Sequence, residues 1–306
     1  MRQPMFWHKK LTCGSSCYNI AGCHLTVTIQ GPDHAIAVMR FLLVSDLHYA
    51  LKQYDWTTSV ARDFDTVVIA GDHLDISGFV DGSVQIIVIL KYLKRLMAST
   101  RIVVSSGNHD LDHRDDAGEK TARWMRRVRQ MGIPADGDSL ALGDTLITIC
   151  PWWDGPKAKE AVAAQLARDS AKDKKNWIWV YHAPPAGSPT SWDGKKSWGD
   201  IELTEWIGLY KPDIVFCGHI HQAPFIPDGS WADRIGPTWV FNTGRQIGET
   251  PAHIIVDTDA REALWFSLAG SESLHLDQPL QRPFAPLDQL PQWLAPKSQD
   301  RDPSPA

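Results

Sequence analysis

The feature that most constrains this chain recurs along it: a short apolar run that stops abruptly at a cluster of aspartate, asparagine or histidine. It occurs five times. Phe41-Leu42-Leu43-Val44-Ser45 ends in Asp46-Leu47-His48, and Thr66-Val67-Val68-Ile69-Ala70 ends in Gly71-Asp72-His73-Leu74-Asp75. The run from Arg101 to Ser105 leads to Gly107-Asn108-His109-Asp110, and the run from Trp177 to Tyr181 leads to His182. The last, Asp213 to Cys217, delivers Gly218-His219-Ile220-His221. Continuous apolar runs of this length read as strands buried on both faces, the habit of parallel sheets covered by other layers. In open α/β sheets ligands bind beyond the carboxyl ends of the strands, and all five clusters lie there. Residues i and i+2 of extended backbone point to one side, so His219 and His221 can serve one site. One such cluster alone would be an ordinary polar loop; the recurrence is what signals chemistry.

Between these runs the spacing predicts helices. Asp55 is expected to cap a short one, and residues 84–97 pattern as a helix packed on a sheet. A basic helix is expected around 118–131, stopped by Gly132, with Arg123, Arg126, Arg127 and Arg129 on a solvated face. Ser139–Leu142 and Thr145–Cys150 flank the turn pair Gly143-Asp144 and read as a β-hairpin. Further helices are expected at about 157–169 and 201–210. After His221 the alternation stops, and Trp239–Asn242, Ile254–Asp257 and Ala263–Leu268 read as antiparallel strands. From Leu276 the chain carries seven prolines and is expected to be an extended or disordered tail. The expected division is an N-terminal extension 1–38, one domain 39–270 and a Pro-rich tail 271–306. The fold class is α/β: two mixed sheets packed face to face and flanked by helices, a four-layer α-β-β-α sandwich.

Bulk properties exclude several functions. A net charge of −5 and a pI near 6.2 advertise no nucleic-acid or membrane surface, and no apolar run approaches the ~20 residues that span a bilayer. There is no Gly-x-Ser-x-Gly elbow for a serine hydrolase. Five cysteines make no disulfide framework; Cys150 and Cys217 end apolar runs and are expected in the core, while Cys13, Cys17, Cys23 and His24 match no standard zinc finger. Ile20-Ala21-Gly22-Cys23 looks like a lipoprotein box, but Gly14, Ser15, Ser16, Tyr18 and Asn19 before it are too polar for a signal. The expectation is therefore a cytoplasmic protein, with Met39 as the natural start. Trp152, Trp153, Trp192 and Trp198 fall in loops and are expected to pack those loops rather than stack a base.

Asp46, His48, Asp72, Asn108, His182, His219 and His221 offer oxygen and imidazole but no thiolate, a set suited to Mn, Fe, Zn or Ni. Seven donors are too many for one catalytic ion that keeps an open position. They suit two ions about 3.5–4 Å apart that share a carboxylate. Two dications bring about four positive charges and two aspartates remove two, which leaves a centre that attracts an anionic phosphoester.

The ordered pattern Asp-x-His, Gly-Asp-x-x-Asp, Gly-Asn-His-Asp, His, Gly-His-x-His resembles the calcineurin-like metallophosphoesterase family from Phe41 to about Asn242. The resemblance implies a first metal on Asp46, His48, Asp72 and His221. It implies a second on Asp72, Asn108, His182 and His219, with Asp72 bridging. It also implies attack by a bridging hydroxide, His109 as the catalytic histidine at the leaving oxygen, Asp110 orienting the His109 ring, and Asp75 buttressing its loop. His73 is expected to sit behind the bridging aspartate rather than touch substrate. Ile76-Ser77 stands where the protein serine/threonine phosphatases carry Arg-Gly, so the pattern is more similar to the small-molecule branch that includes cyclic-nucleotide phosphodiesterases. The resulting expectation is a dinuclear phosphoesterase acting on a small-molecule or nucleotide-like phosphodiester. A phosphomonoesterase or pyrophosphate-cleaving enzyme is the alternative. A non-catalytic scaffold of the same fold would lack ligands or the acid histidine, and here all are present.

Overall fold

The computed structural model describes residues 39–294. The expectations for residues 1–38, including Cys13, Cys17, Cys23 and the Met39 start, and for residues 295–306 lie outside the described residues.

The first half runs β1 (Arg40–Val44), α1 (Leu51–Val60), β2 (Thr66–Ala70), α2 (Gly82–Met97) and β3 (Arg101–Ser105). A two-residue ribbon of β4 (His113–Arg114) and β5 (Lys120–Thr121) follows, then α3 (Met125–Gln130). The chain continues through β6 (Ser139–Leu142), β7 (Thr145–Ile149), α4 (Pro156–Ser170), β8 (Asn176–Val180), α5 (Ile201–Tyr210) and β9 (Ile214–Cys217). It ends in β10 (Ala232–Ile235), β11 (Thr238–Asn242), β12 (His253–Asp257), β13 (Glu262–Ser267), β14 (Gly270–His275) and β15 (Ala285–Pro286). One sheet has the order β15-β14-β13-β12-β1-β2-β3 and the other β10-β11-β9-β8-β7-β6.

The two-residue period of a strand sorts each run into two cores. Phe41 and Leu43 of β1, Val68 of β2, Ile178 and Val180 of β8 and Phe216 of β9 meet in the layer between the sheets. Leu42 and Val44, with Val67 and Ile69, face the opposite way and pack under α2 and α3. Leu146, Trp177, Trp179 and Val215 do the same under α4 and α5. Both faces are therefore covered, which is why these strands carry no polar alternation. The four-layer sandwich is as expected.

Four local expectations are corrected. Asp55 lies inside α1, which starts at Leu51 without a side-chain cap, and its carboxylate accepts a bond from the Tyr92 hydroxyl at 2.9 Å. The basic helix shrinks to Met125–Gln130, because the β4–β5 ribbon takes its first residues and Trp124 is fixed by donating its indole N–H to the Asp110 carbonyl. The four arginines are exposed or half-buried at the surface, as expected. β11 pairs parallel with β9, Trp239 opposite Ile214, and antiparallel only with β10. The segment from Leu276, expected as a tail, is packed on the domain through residue 294: β15 pairs with β14, and the Trp293 indole N–H donates to Glu262. Prolines there interrupt a strand; they do not release the chain. Among the described residues no helix is long and apolar enough to cross a membrane.

Candidate metal centre

The carboxyl ends of β1, β2, β3, β8 and β9 bring the five clusters to one edge of the sandwich. Donor atoms of Asp46, His48, Asp72 and His221 lie within 4.8 Å of one another, and so do those of Asp72, His182 and His219. Asp72 belongs to both groups. Its Oδ2 is 3.1 Å from His182 Nε2 and 3.6 Å from His48 Nε2, while Asp46 Oδ1 is 3.1 Å from His221 Nε2. Asp46, Asp72 and His182 are buried; His219 and His221 are half-buried.

The backbone is strained to achieve this. Asp46 (φ 55°), His48 (φ 41°), Asp72 (φ 56°) and His219 (φ 69°) all lie in the left-handed region, a cost of about 1–3 kcal/mol each that surrounding structure must offset. Pairing of the two loops does part of that work: Asp46 N–H donates to Gly71 O at 3.1 Å and His48 N–H to Asp72 O at 2.9 Å. The carboxylates are fixed in turn. Both oxygens of Asp46 accept from His219 N–H across the sheet interface, and Asp72 Oδ1 accepts from His109 N–H at 2.9 Å. The glycines in the motifs make room for these groups. A Cβ on Gly107 would collide with Asp72 Oδ1, and one on Gly218 would collide with Asp46 Oδ2.

The donor set fits metal ions. His182 Nδ1 lies 2.7 Å from the Ala70 carbonyl. A carbonyl only accepts, so Nδ1 carries the proton and Nε2 turns its lone pair toward Asp72 Oδ2. Two acceptors facing each other at 3.1 Å call for a cation or a proton between them. Asn108 Oδ1 is buried with no hydrogen-bond partner among the described residues, an unused acceptor at the site. The titration of the cluster agrees. Burial opposes charge on His182, yet Asp72 and Asp46 raise it to about 9. Burial also works against ionised Asp46, yet His182, His221 and His48 hold it well below the usual carboxylate range. Burial and the neighbouring His182 lower His219 to about 4. This much negative potential buried among imidazoles is an environment for cations.

The structure brings His109 to the rim of the site. Its ring is 22 % exposed, packs edge-on to His48 at 4.6 Å and holds Nε2 3.9 Å from Asp72 Oδ2. Burial pushes its pKa below the usual histidine value. Asp110 does not orient that ring. His109 Nδ1 has no partner, whereas Asp110 Oδ1 accepts from the backbone N–H groups of His73 (3.0 Å) and Leu74 (3.1 Å), and Oδ2 accepts from Gly107 N–H (2.8 Å). It braces the β2 loop against the β3 loop. The reason is topological: in the short 3-10 turn Asn108–Asp110 the carboxylate folds back on the backbone.

His73 sits behind Asp72, fully buried, accepting from Tyr54 OH at Nδ1 (2.9 Å) and donating from Nε2 to Ser105 O (3.1 Å). Asp75 accepts from Ser77 N–H within its own loop. Trp153 stacks on Tyr181 at 4.2 Å, the packing role expected, while Trp152 lies 5.2 Å from His219 and walls that side of the centre. Trp198 is half exposed under the Lys196 ammonium. Cys150 and Cys217 are buried free thiols in the core. Sequence reasoning missed the supports: Ser45, whose hydroxyl bonds Asp46 and meets Thr243 at 2.6 Å, and Asn242, whose amide donates to Ile220 O between His219 and His221. Nothing local marks either partner, since Thr243 is 198 residues from Ser45.

Residues 39–223 match the family model described as calcineurin-like phosphoesterase. Comparison with curated proteins gives no match. Among solved structures, a protein from Thermus thermophilus is 13 % identical with a TM-score of 0.50, over 78 % of this chain and 100 % of that one. A purple acid phosphatase from yellow lupin seeds is 16 % identical with a TM-score of 0.50, over 80 % of this chain and 53 % of that one. At such identities these likenesses concern the fold alone.

Proposed function

The chain belongs to the calcineurin-like phosphoesterase family, and from that premise we propose that it is a dinuclear metal-dependent hydrolase of a small-molecule or nucleotide-like phosphodiester. The observation that carries the reading is the pair of donor groups that share Asp72. In this reading Asp46, His48, Asp72 and His221 hold one ion, and Asp72, Asn108, His182 and His219 hold the other. Mn, Fe or Zn would suit these donors. When bound, such a pair supplies Lewis acidity toward the phosphoryl oxygens and lowers the pKa of a coordinated water toward 7.

The chain's own residues do the rest. The backbone bonds to Asp46 and Asp72 hold both carboxylates in place before substrate arrives, so little reorganisation remains. Burial holds the His109 pKa below the usual histidine value, which favours a neutral imidazole that donates one N–H to the leaving oxygen. The braced loops hold the His109 backbone beside Asp72. Trp152 screens the His219 side from water. The diester preference rests on the small-molecule-type pattern of Gly107-Asn108-His109-Asp110 with Ile76-Ser77; a cytoplasmic setting rests on the polar residues Gly14 to Asn19 before the lipoprotein-like box, and cell fractionation tests it.

The deciding experiment strips the protein of metal, reconstitutes it with Mn²⁺ and follows bis(p-nitrophenyl) phosphate beside p-nitrophenyl phosphate. The expected result is metal-dependent cleavage of the diester, falling by about 10²–10⁴-fold in His109→Ala with metal content retained. Cleavage of the monoester alone would replace the diester by a phosphatase reading. Silence on both with two ions bound would favour a scaffold.

A further inference from the structure

A cleft of about 570 Å³ opens beside the centre, between the loop after β2, the start of α2 and the loop after β3, and His109 forms part of its wall. Its apolar lining comes from Leu74, Ile76, Val80, Ile86 and Leu111. The lip is unusually apolar. Of twelve large hydrophobic residues exposed among the described residues, Ile76, Phe79, Val80, Val84 and Ile87 are five, with Ile76 69 % exposed and Phe79 fully so. Such a concentration on one loop and the first turns of the helix that follows it marks a binding surface rather than chance exposure.

The loop is held in this form. The buried Gln85 side chain accepts from Asp75 N–H and donates to the Asp75 and Val80 carbonyls, each at 2.8 Å, and Asp81 caps α2 through Ser83 N–H at 2.8 Å. The apolar side chains are thus presented to solvent by a satisfied polar scaffold, and covering them with a ligand costs no loop ordering. The charged groups facing the cleft are Asp75, Asp81, Asp112 and Arg123. The three carboxylates each accept local backbone N–H bonds, and one guanidinium does not balance them. At separations within a Debye length, about 8 Å at physiological salt, this excess of negative charge repels a second anion.

Resting on the phosphoesterase reading, we propose that this cleft receives the alcohol side of the ester and selects an uncharged apolar group, alkyl or aryl, over one that carries a further anionic group. The leaving oxygen meets His109, so its substituent extends into the space that His109 itself walls. A pyrophosphate or polyphosphate leaving group would be turned away by Asp75, Asp81 and Asp112.

The probes are n-alkylphosphonates from ethyl to hexyl, assayed as competitive inhibitors of bis(p-nitrophenyl) phosphate hydrolysis by the Mn²⁺-loaded full chain. Inhibition should tighten by about 2–4-fold per methylene, the value of apolar burial in a partly open site. In Ile76→Ser/Val80→Ser, two exposed positions whose change leaves the core intact, the dependence on chain length should flatten. 5-Phosphonopentanoate, with a carboxylate in place of the terminal methyl, should bind about tenfold more weakly than pentylphosphonate. Hydrolysis with length-independent inhibition, an unchanged length dependence in the variant, or tighter binding of the carboxylate overturns the proposal while leaving the phosphoesterase reading intact. Absence of hydrolysis of both nitrophenyl esters overturns the reading on which it rests.

Discussion

Removing the Asp110 carboxylate separates bracing from catalysis. Its two oxygens accept three backbone N–H groups, from His73, Leu74 and Gly107, all in buried residues. Asp110→Ala strands all three, and at about 1–3 kcal/mol per buried unsatisfied group the central expectation is a loss of about 6 kcal/mol. Asp110→Asn keeps a carbonyl oxygen for His73 and Leu74 but turns an amide N–H₂ toward Gly107 N–H, so it loses about 1–3 kcal/mol. For a domain of this size each kcal/mol moves Tm by about 2–4 °C. The Ala variant should therefore unfold about 12–24 °C below the parent and the Asn variant about 2–12 °C below. The assay is thermal unfolding by circular dichroism on metal-stripped protein, so that ion binding does not contribute to Tm. A residue that only orients the His109 ring would lower turnover and leave Tm alone. An Asp110→Ala variant that melts within about 1 °C of the parent would refute the bracing argument.

Two other substitutions test the centre and the core. Asp72→Asn should lower the content of both ions together, measured by elemental analysis after dialysis, because Asp72 lies in both donor groups; a variant that still retains two ions argues against sharing. His253, buried between Trp56 and Phe266, is pushed by burial to about 4. The unfolded chain takes up its proton near pH 6.5 and the folded chain only near 4, so stability is present above 6.5 and is lost as pH falls through this window, by about 3 kcal/mol. His253→Phe should remove that slope in urea melts between pH 7 and 4, at the cost of one bond to the Pro251 carbonyl. An unchanged slope would assign the effect elsewhere.

Legibility in the sequence followed how local the cause is. β1, β2, β3, β8 and β9 announce themselves because both faces are buried and every residue must be apolar. The side chains that the structure gathers into the two donor groups were legible because they come immediately after those strands. The role of Asp110 was not, although it sits beside His109. Whether a carboxylate reaches the neighbouring ring or folds back onto Gly107 depends on the turn that follows β3. α3 came out shorter than its charge pattern suggested because Trp124 is anchored to Asp110 from outside the helix. β11 was assigned the wrong partner direction because strand pairing is a property of two distant segments.

The sequence by itself determined the α/β class, the buried strands and the chemical identity of the donors, because those follow from side-chain type and a two-residue period. Tertiary structure decided the rest. It set Asp72 between two donor groups, aimed the His182 lone pair through the Ala70 carbonyl, joined Ser45 to Thr243, and packed residues 276–294 across the edges of both sheets. Each of these depends on groups far apart along the chain meeting in a water-poor interior, where an unpaired polar atom is costly and only one arrangement satisfies them together.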